Sequence, residues 1–210
     1  MKRISRISFA YLALVALLVT ACTSTRLTSV WNDPNYHARP ARFMVISIDN
    51  NPQTRRFFED EFVDQIKAKG SDAVASYTVL SESRQNDPVA ISEKVAELGA
   101  DAVLITRLIS KTIARKGAPK TAYNPAPYSQ KWQDYYGYDK QSVYPPGVIA
   151  EEGVAVIETK MYEAINVKMV WSASSETGIG GPYQQRIQLY VETMVKAMVE
   201  RGLLGSGVAK

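Results

Sequence analysis

Cysteine and histidine each occur once in this 210-residue chain, as Cys22 and His37. A single thiol excludes any intramolecular disulfide, and zinc sites built from several Cys or His ligands are excluded by count. A Ser-His-Asp or Cys-His catalytic group would have to use His37. That residue lies in the segment just after Cys22, where a lone histidine reads as a solvated side chain. Neither Ser-x-x-Lys nor Gly-x-Ser-x-Gly occurs. Gly178-Ile179-Gly180-Gly181 is followed by no Gly-Lys-Ser/Thr and lacks dinucleotide spacing, so it reads as a turn rather than a phosphate loop. Nothing implies a metal or a cofactor. The formal charge of +4 is carried largely by Lys2, Arg3 and Arg6. Without them the chain is nearly neutral and has no electrostatic footprint for a polyanion, which excludes nucleic acid as a partner. Apolar residues at 46% and charged residues at 22% suit an ordinary globular core that needs no covalent staples.

Residues 1–21 have the three parts of an export signal: a basic start, an apolar run from Phe9 to Val19, and a small-residue junction. The run is shorter than the roughly 20 apolar residues a membrane-spanning helix needs. Val19-Thr20-Ala21-Cys22 resembles the lipobox of bacterial lipoproteins. The resemblance implies cleavage between Ala21 and Cys22, diacylglycerol on the Cys22 sulfur and acylation of the new amino group. Of the nearby side chains only a thiolate is nucleophilic enough to take that lipid, and two or more acyl chains anchor stably where one is marginal. Residue 23 is Thr rather than Asp, which resembles lipoproteins forwarded to the outer membrane. The expected location is therefore its inner leaflet, lipid-anchored and facing the periplasm.

From Cys22 to Arg42 the composition suggests a tether, with Leu27, Val30 and Trp31 able to form a short strand and Trp31 expected to dock as a buried indole. Phe43-Met44-Val45-Ile46-Ser47-Ile48 is the near-continuous apolar run of an interior strand covered on both faces. Thr54 is the expected cap of the next helix, whose apolar stripe is Phe58, Phe62, Val63 and Ile66, ended by Gly70. Glu59, Asp60 and Glu61 point about 100° apart on that helix and cannot converge on one ion. They read as a solvated face, with Arg56 within reach of Asp60. Ala73 to Leu80 reads as a second strand. Asp87-Pro88 starts a helix with the stripe Ile91, Val95 and Leu98, stopped by Gly99. Ala102 to Ile113 is the third strand. Strand, helix, strand, helix, strand at these lengths implies parallel neighbours with right-handed crossovers.

Between Ala114 and Ala150 the periodicity vanishes. This insertion holds Tyr123, Tyr128, Trp132, Tyr135, Tyr136, Tyr138 and Tyr144, with half of the chain's twelve tyrosines. Long loops in compact domains are functional or disordered, and an aromatic-rich one is unlike ordinary disorder. Tyr and Trp give large amphipathic contact area at low entropic cost. Residues 119–146 therefore read either as a recognition loop for an envelope protein or cell-wall glycan, or as rings that fold back as a lid on the domain or are locally disordered.

Val154 to Glu163 and Val167 to Trp171, joined by Ala164-Ile165-Asn166, read as an antiparallel hairpin. Ser174 to Gly181 reads as a polar connection. The last helix buries Ile187, Tyr190, Val191, Met194, Val195 and Met198 and stops at Gly202. Residues 202–210 form a tail expected to fray.

Three pieces resemble a group of uncharacterised bacterial lipoproteins with domains of unknown function: Arg55 to Asp60, Gly99 to Ile105 and Met169 to Ala173. The order of elements is similar to the α/β domain of the secretion lipoprotein CsgG and the amino-terminal domain of TolB. These motifs bear the fold, and no active-site residue is implied. The reading is thus a signal peptide over 1–21, a lipidated cysteine and tether over 22–42, and one α/β domain over 43–201 with the insertion at 114–150. Its mixed sheet would have about five strands with three main helices. The expected function is a non-enzymatic envelope accessory or assembly component, held to the membrane through Cys22. The alternative is a cell-wall-directed hydrolase using carboxylates. Its nearest candidates, Glu151 and Glu152, would point to opposite faces of a strand and cannot themselves pair as acid and base.

Overall fold

A computed structural model describes residues 25–113 and 153–205. They form one six-stranded mixed sheet in the order β1-β6-β5-β4-β2-β3. The strands are β1 (Thr25–Asn32), β2 (Arg42–Ile48), β3 (Asp72–Ala75), β4 (Ala102–Ile113), β5 (Gly153–Glu163) and β6 (Met169–Gly178). Four helices accompany them: α1 (Pro52–Ala68), the single turn α2 (Ser76–Val79), α3 (Pro88–Leu98) and α4 (Tyr183–Glu200). β2 pairs in parallel with both β3 and β4, whereas β4-β5, β5-β6 and β6-β1 are antiparallel. The parallel β-α-β-α-β unit and the terminal hairpin expected from the sequence are both present.

The apolar run of β2 is buried on both faces, as continuous hydrophobicity requires. Phe43 and Val45 point to one core with Phe58, Phe62 and Ile66 of α1 and Tyr190, Val191 and Met194 of α4. Met44 and Ile46 point to the other, with Ile91 and Val95 of α3 and Val103 and Ile105 of β4. Two helices thus cover one face and α3 covers part of the other. Phe58 and Phe62 both meet the Tyr190 ring edge-on, at 5.7 and 6.2 Å between centroids, a favoured aromatic arrangement. Both capped helices begin after a side-chain cap followed by proline at the first position. Asn51, rather than Thr54, accepts from Gln53 N and Thr54 N at α1, and Asp87 accepts from Val89 N at α3.

Several expectations are corrected. The first strand is not part of a free tether: β1 begins at Thr25 and pairs along its length with β6 as the sheet edge. Trp31 is 37% exposed there instead of buried, because pairing with Ser172 puts it on the face opposite Val30. The second strand stops at Ala75 and turns into α2, where the Ser76 hydroxyl and the Tyr77 N–H are drawn to a buried carboxylate. β6 continues to Gly178 through its serines and threonines, since every residue from Ala173 to Gly178 pairs with β5 and those up to Thr177 pair with β1 on the other side. Leu203 and Leu204 are buried in the first core rather than frayed.

The acidic triplet is the largest correction. Glu59 is 0% exposed. Its Oε1 accepts from Ser47 N (2.9 Å), Arg55 Nε (3.1 Å) and Ser76 Oγ (2.8 Å), and its Oε2 accepts from Tyr77 N (3.0 Å). Burial pushes its pKa up, and these donors oppose that shift. Arg55 also reaches Ser76 Oγ (3.2 Å) and the Gln85 carbonyl (3.4 Å). Asp60 accepts from the Tyr77 hydroxyl at 2.7 Å, while Arg56 pairs with Glu82 and lies over the Tyr77 ring instead of meeting Asp60.

Candidate functional site

The strand order places a crevice at a defined edge. From β2 the chain crosses by α1 to β3 on one side, whereas β4 lies on the other side of β2 and leads on towards β5. Where connections diverge in this way, ligands of open α/β sheets bind outside the carboxyl ends of the strands. A cavity of about 200 Å³ lies there, between the ends of β2 and β4, the start of β5, the end of β6 and the first turns of α1 and α4.

Its wall is apolar: Ile48, Phe58, Leu108, Ile157, Ile179 and Ile187. Ile179 is held by its N–H to the Gly153 carbonyl at 2.9 Å. It packs so closely over Gly153 that an added Cβ would stand 2.3 Å from Ile179 Cδ1 and 2.9 Å from the Thr112 carbonyl oxygen. Glycine is required at this point by close approach. Thr106 of the lining belongs to a buried, self-satisfied hydroxyl cluster beneath it: Thr159 Oγ1 lies 2.5 Å from the Tyr190 hydroxyl and 3.0 Å from Thr106 Oγ1, and Thr106 lies 3.2 Å from Tyr190. Burial drives the Tyr190 pKa well up, so it stays a neutral phenol.

The rim is charged. Lys111 and Arg186 supply cations and Asp49 an anion. Arg186 Nη1 donates to the Ile179 carbonyl at 2.5 Å, and its guanidinium lies 6.0 Å from the Tyr183 ring centroid. Its Nε is buried and makes no hydrogen bond among the described residues. Burial raises the Tyr183 pKa, opposed by the Thr54 side chain (close by, but outside hydrogen-bond geometry) and by Arg186. α4 starts at Pro182 with no side-chain cap, so its first N–H groups add partial positive charge at the same place.

A second group of charges lies on the opposite face of the sheet. Arg107, Glu158 and Lys160 are 4%, 7% and 1% exposed. Lys160 Nζ stands 3.3 Å from Glu158 Oε2, and Arg107 Nε stands 4.0 Å from the same oxygen. Pairing of Arg107 with Glu158 and the two-residue step to Lys160 put all three on one face. Burial lowers the Lys160 pKa, and Glu158 opposes that shift. The i, i+2 spacing of Glu158 and Lys160 was available in the sequence, but Arg107 could join them only once the strand register was known.

The residues singled out from the sequence do not converge here. Cys22 and Ala21, Tyr123, Tyr128, Trp132, Tyr135, Tyr136, Tyr138 and Tyr144, and Glu151 and Glu152 all lie outside the described residues. His37 is exposed. Among the described residues no group of three or more His, Cys, Asp or Glu could hold a metal ion, and no helix is long and apolar enough to cross a membrane.

No family model matches the chain, and no curated protein matches it. Among solved structures it is similar to the PelC dodecamer from Paraburkholderia phytofirmans in two crystal forms, at 17% identity and TM-scores of 0.42 and 0.41. The matches cover 84% of this chain and 96% and 95% of those chains. It is also similar to lipoprotein GNA1162 from Neisseria meningitidis, at 14% identity and a TM-score of 0.41, over 77% of this chain and 99% of that one.

Proposed function

We propose that this protein is a lipoprotein of the bacterial envelope, cut before Cys22, acylated there and held on the periplasmic side of the outer membrane. It works as a non-enzymatic accessory or assembly component. The observation that carries this reading is Val19-Thr20-Ala21-Cys22, the small-residue end of a basic-then-apolar leader that contains the chain's sole cysteine. The position of β1 changes its consequence. Thr23 and Ser24 alone separate Cys22 from Thr25, and three Cα steps reach at most ~11 Å. A domain anchored at Cys22 is therefore held close to the bilayer surface rather than reaching tens of ångströms into the periplasm. The aromatic segment 119–146 is assigned to partner contact in the envelope, with a protein or cell-wall glycan as its partner.

Metabolic labelling with a palmitate analogue, followed by membrane fractionation, tests the anchor. Cys22→Ser should abolish labelling, and unchanged acylation would sink the reading. Thr23→Asp should move the labelled protein from outer-membrane to inner-membrane fractions. Continued recovery with the outer membrane would remove the argument for that destination while leaving the anchor intact. Crosslinking in living cells, with and without residues 119–146, tests the partner contact, which fails if the same partners are recovered after deletion.

A further inference from the structure

The crevice at the carboxyl ends of β2 and β4 combines three properties that together specify a ligand class. Its wall is aliphatic and aromatic, and its volume of about 200 Å³ exceeds that of a dry apolar cavity that takes benzene, about 150 Å³. Its lining carries one carboxylate, Asp49, and two cationic side chains on this face of the sheet, Lys111 and Arg186. At its rim the Arg186 Nε is buried without a hydrogen-bond partner among the described residues, beside the uncapped start of α4. An apolar molecule would leave the Lys111 and Arg186 charges uncompensated, and a purely polar anion would leave the wall unfilled.

We propose that this crevice binds an amphiphilic anion. Its acidic head is held by Arg186, with Lys111 at the mouth, and its apolar part lies against Phe58, Ile179 and Ile187.

The source of that amphiphile is the membrane, a step that rests on the anchor reading. Thr25, the first residue of β1, has its Oγ1 3.2 Å from Thr177 Oγ1, and Thr177 lines the crevice. The chain thus enters the fold at the crevice wall, with Cys22 no more than ~11 Å further along. An anchored domain holds this mouth near a surface rich in acidic lipids and acyl chains, where a soluble acid would have to arrive by diffusion.

Calorimetric titration of the full chain carrying Cys22→Ser provides the test, with octanoate as the probe and octanol as its uncharged counterpart. Octanoate should bind about tenfold or more tightly than octanol. Arg186→Met should remove that preference while octanol binding is retained, which separates loss of the charge contact from collapse of the crevice. Ala155→Leu, which adds bulk to the wall, should weaken both ligands in a variant that still melts cooperatively. Absence of octanoate binding by the folded protein overturns the proposal, and equal affinity for the two probes overturns the assignment to Arg186. Phosphatidylglycerol vesicles should compete with octanoate, whereas phosphatidylcholine vesicles should not. If neither competes, the membrane source is overturned and a soluble amphiphilic acid is the ligand. Unacylated Cys22 in cells together with intact octanoate binding would fault the anchor reading alone.

Discussion

Glu59→Gln replaces one oxygen by nitrogen in a side chain of the same shape, and the structure predicts a large effect. The carboxylate is wholly buried and every neighbour that it touches donates to it. An amide can keep its oxygen at the Oε1 position, facing Ser47 N, Arg55 Nε and Ser76 Oγ. Its NH₂ then stands against the Tyr77 N–H, donor against donor, and that buried N–H loses its partner. Removing one member of a buried ion pair costs roughly 3–5 kcal/mol, and an unsatisfied buried donor costs about 1–3 kcal/mol. Arg55 keeps acceptors in Ser76 Oγ and the Gln85 carbonyl, which places the expected loss near the lower end, about 3 kcal/mol. For a domain of this size that corresponds to a fall in melting temperature of roughly 6–12 °C. Thermal unfolding followed by circular dichroism measures it, with the exposed Asp64→Asn as the surface control, expected to stay within about 0.5 kcal/mol. In a double-mutant cycle, Arg55→Met combined with Glu59→Gln should cost less than the two single changes together. A Glu59→Gln variant that melts with the control would refute the buried network and restore the solvated face suggested by the bare sequence.

Two smaller tests probe other polar contacts. Tyr190→Phe removes a buried hydroxyl while Thr106 and Thr159 remain bonded to each other at 3.0 Å. A loss of about 1 kcal/mol is expected, seen as a lower urea midpoint at unchanged slope; an unchanged midpoint would mean that the hydroxyl contributes nothing. Asp33 is bonded by Lys168 Nζ and by Asn35 N at 2.9 Å, and these contacts, Lys168 foremost, lower its pKa below the usual 3.8. A depressed carboxylate stabilises the fold above the unfolded value and loses that contribution as pH falls through the folded one. The stability gap between wild type and Asp33→Asn should thus be constant above that range and shrink below pH 3.8; a gap that widens on acidification would contradict the assignment.

The elements that were legible in the sequence are those whose cause is local. β2, α1, α3, the hairpin and α4 each follow from apolar spacing and end signals within their own stretch. β1 was visible as a possible strand, but its pairing with a segment some 150 residues later leaves no local trace. Glu59 shows why the acidic triplet hides a buried residue. Three consecutive helical carboxylates do diverge, but divergence obliges one of them to face inward. Arg55, Phe58, Glu59, Phe62 and Ile66 follow the i, i+3, i+4, i+7 recurrence of a buried stripe, and an Arg and Glu four apart within such a stripe are a buried pair. The crevice was not legible at all. Its wall comes from six separate elements, and its cation at Arg186 belongs to a helix whose sequence pattern signals only core packing.

The common edge shared by the start of β1, the crevice and the two ends of the insertion follows from strand parity. β2 and β4 are parallel, and two antiparallel steps, β4 to β5 and β5 to β6, return β6 to the same direction. β1 is antiparallel to β6 and must therefore begin where β6, β4 and β2 end. That is also the edge at which β4 closes at Ile113 and β5 opens at Gly153, so the aromatic insertion leaves and rejoins the sheet there. Moving the start of β1 away from the crevice would require a different strand order, not merely different side chains. A change confined to β1 has a correspondingly specific consequence. Loss of its pairing with β6 would free residues 25–32, which reach up to ~26 Å when extended, and withdraw Leu27 and Val30 from the first core; with the anchor proposed at Cys22, it would uncouple the crevice from the membrane surface.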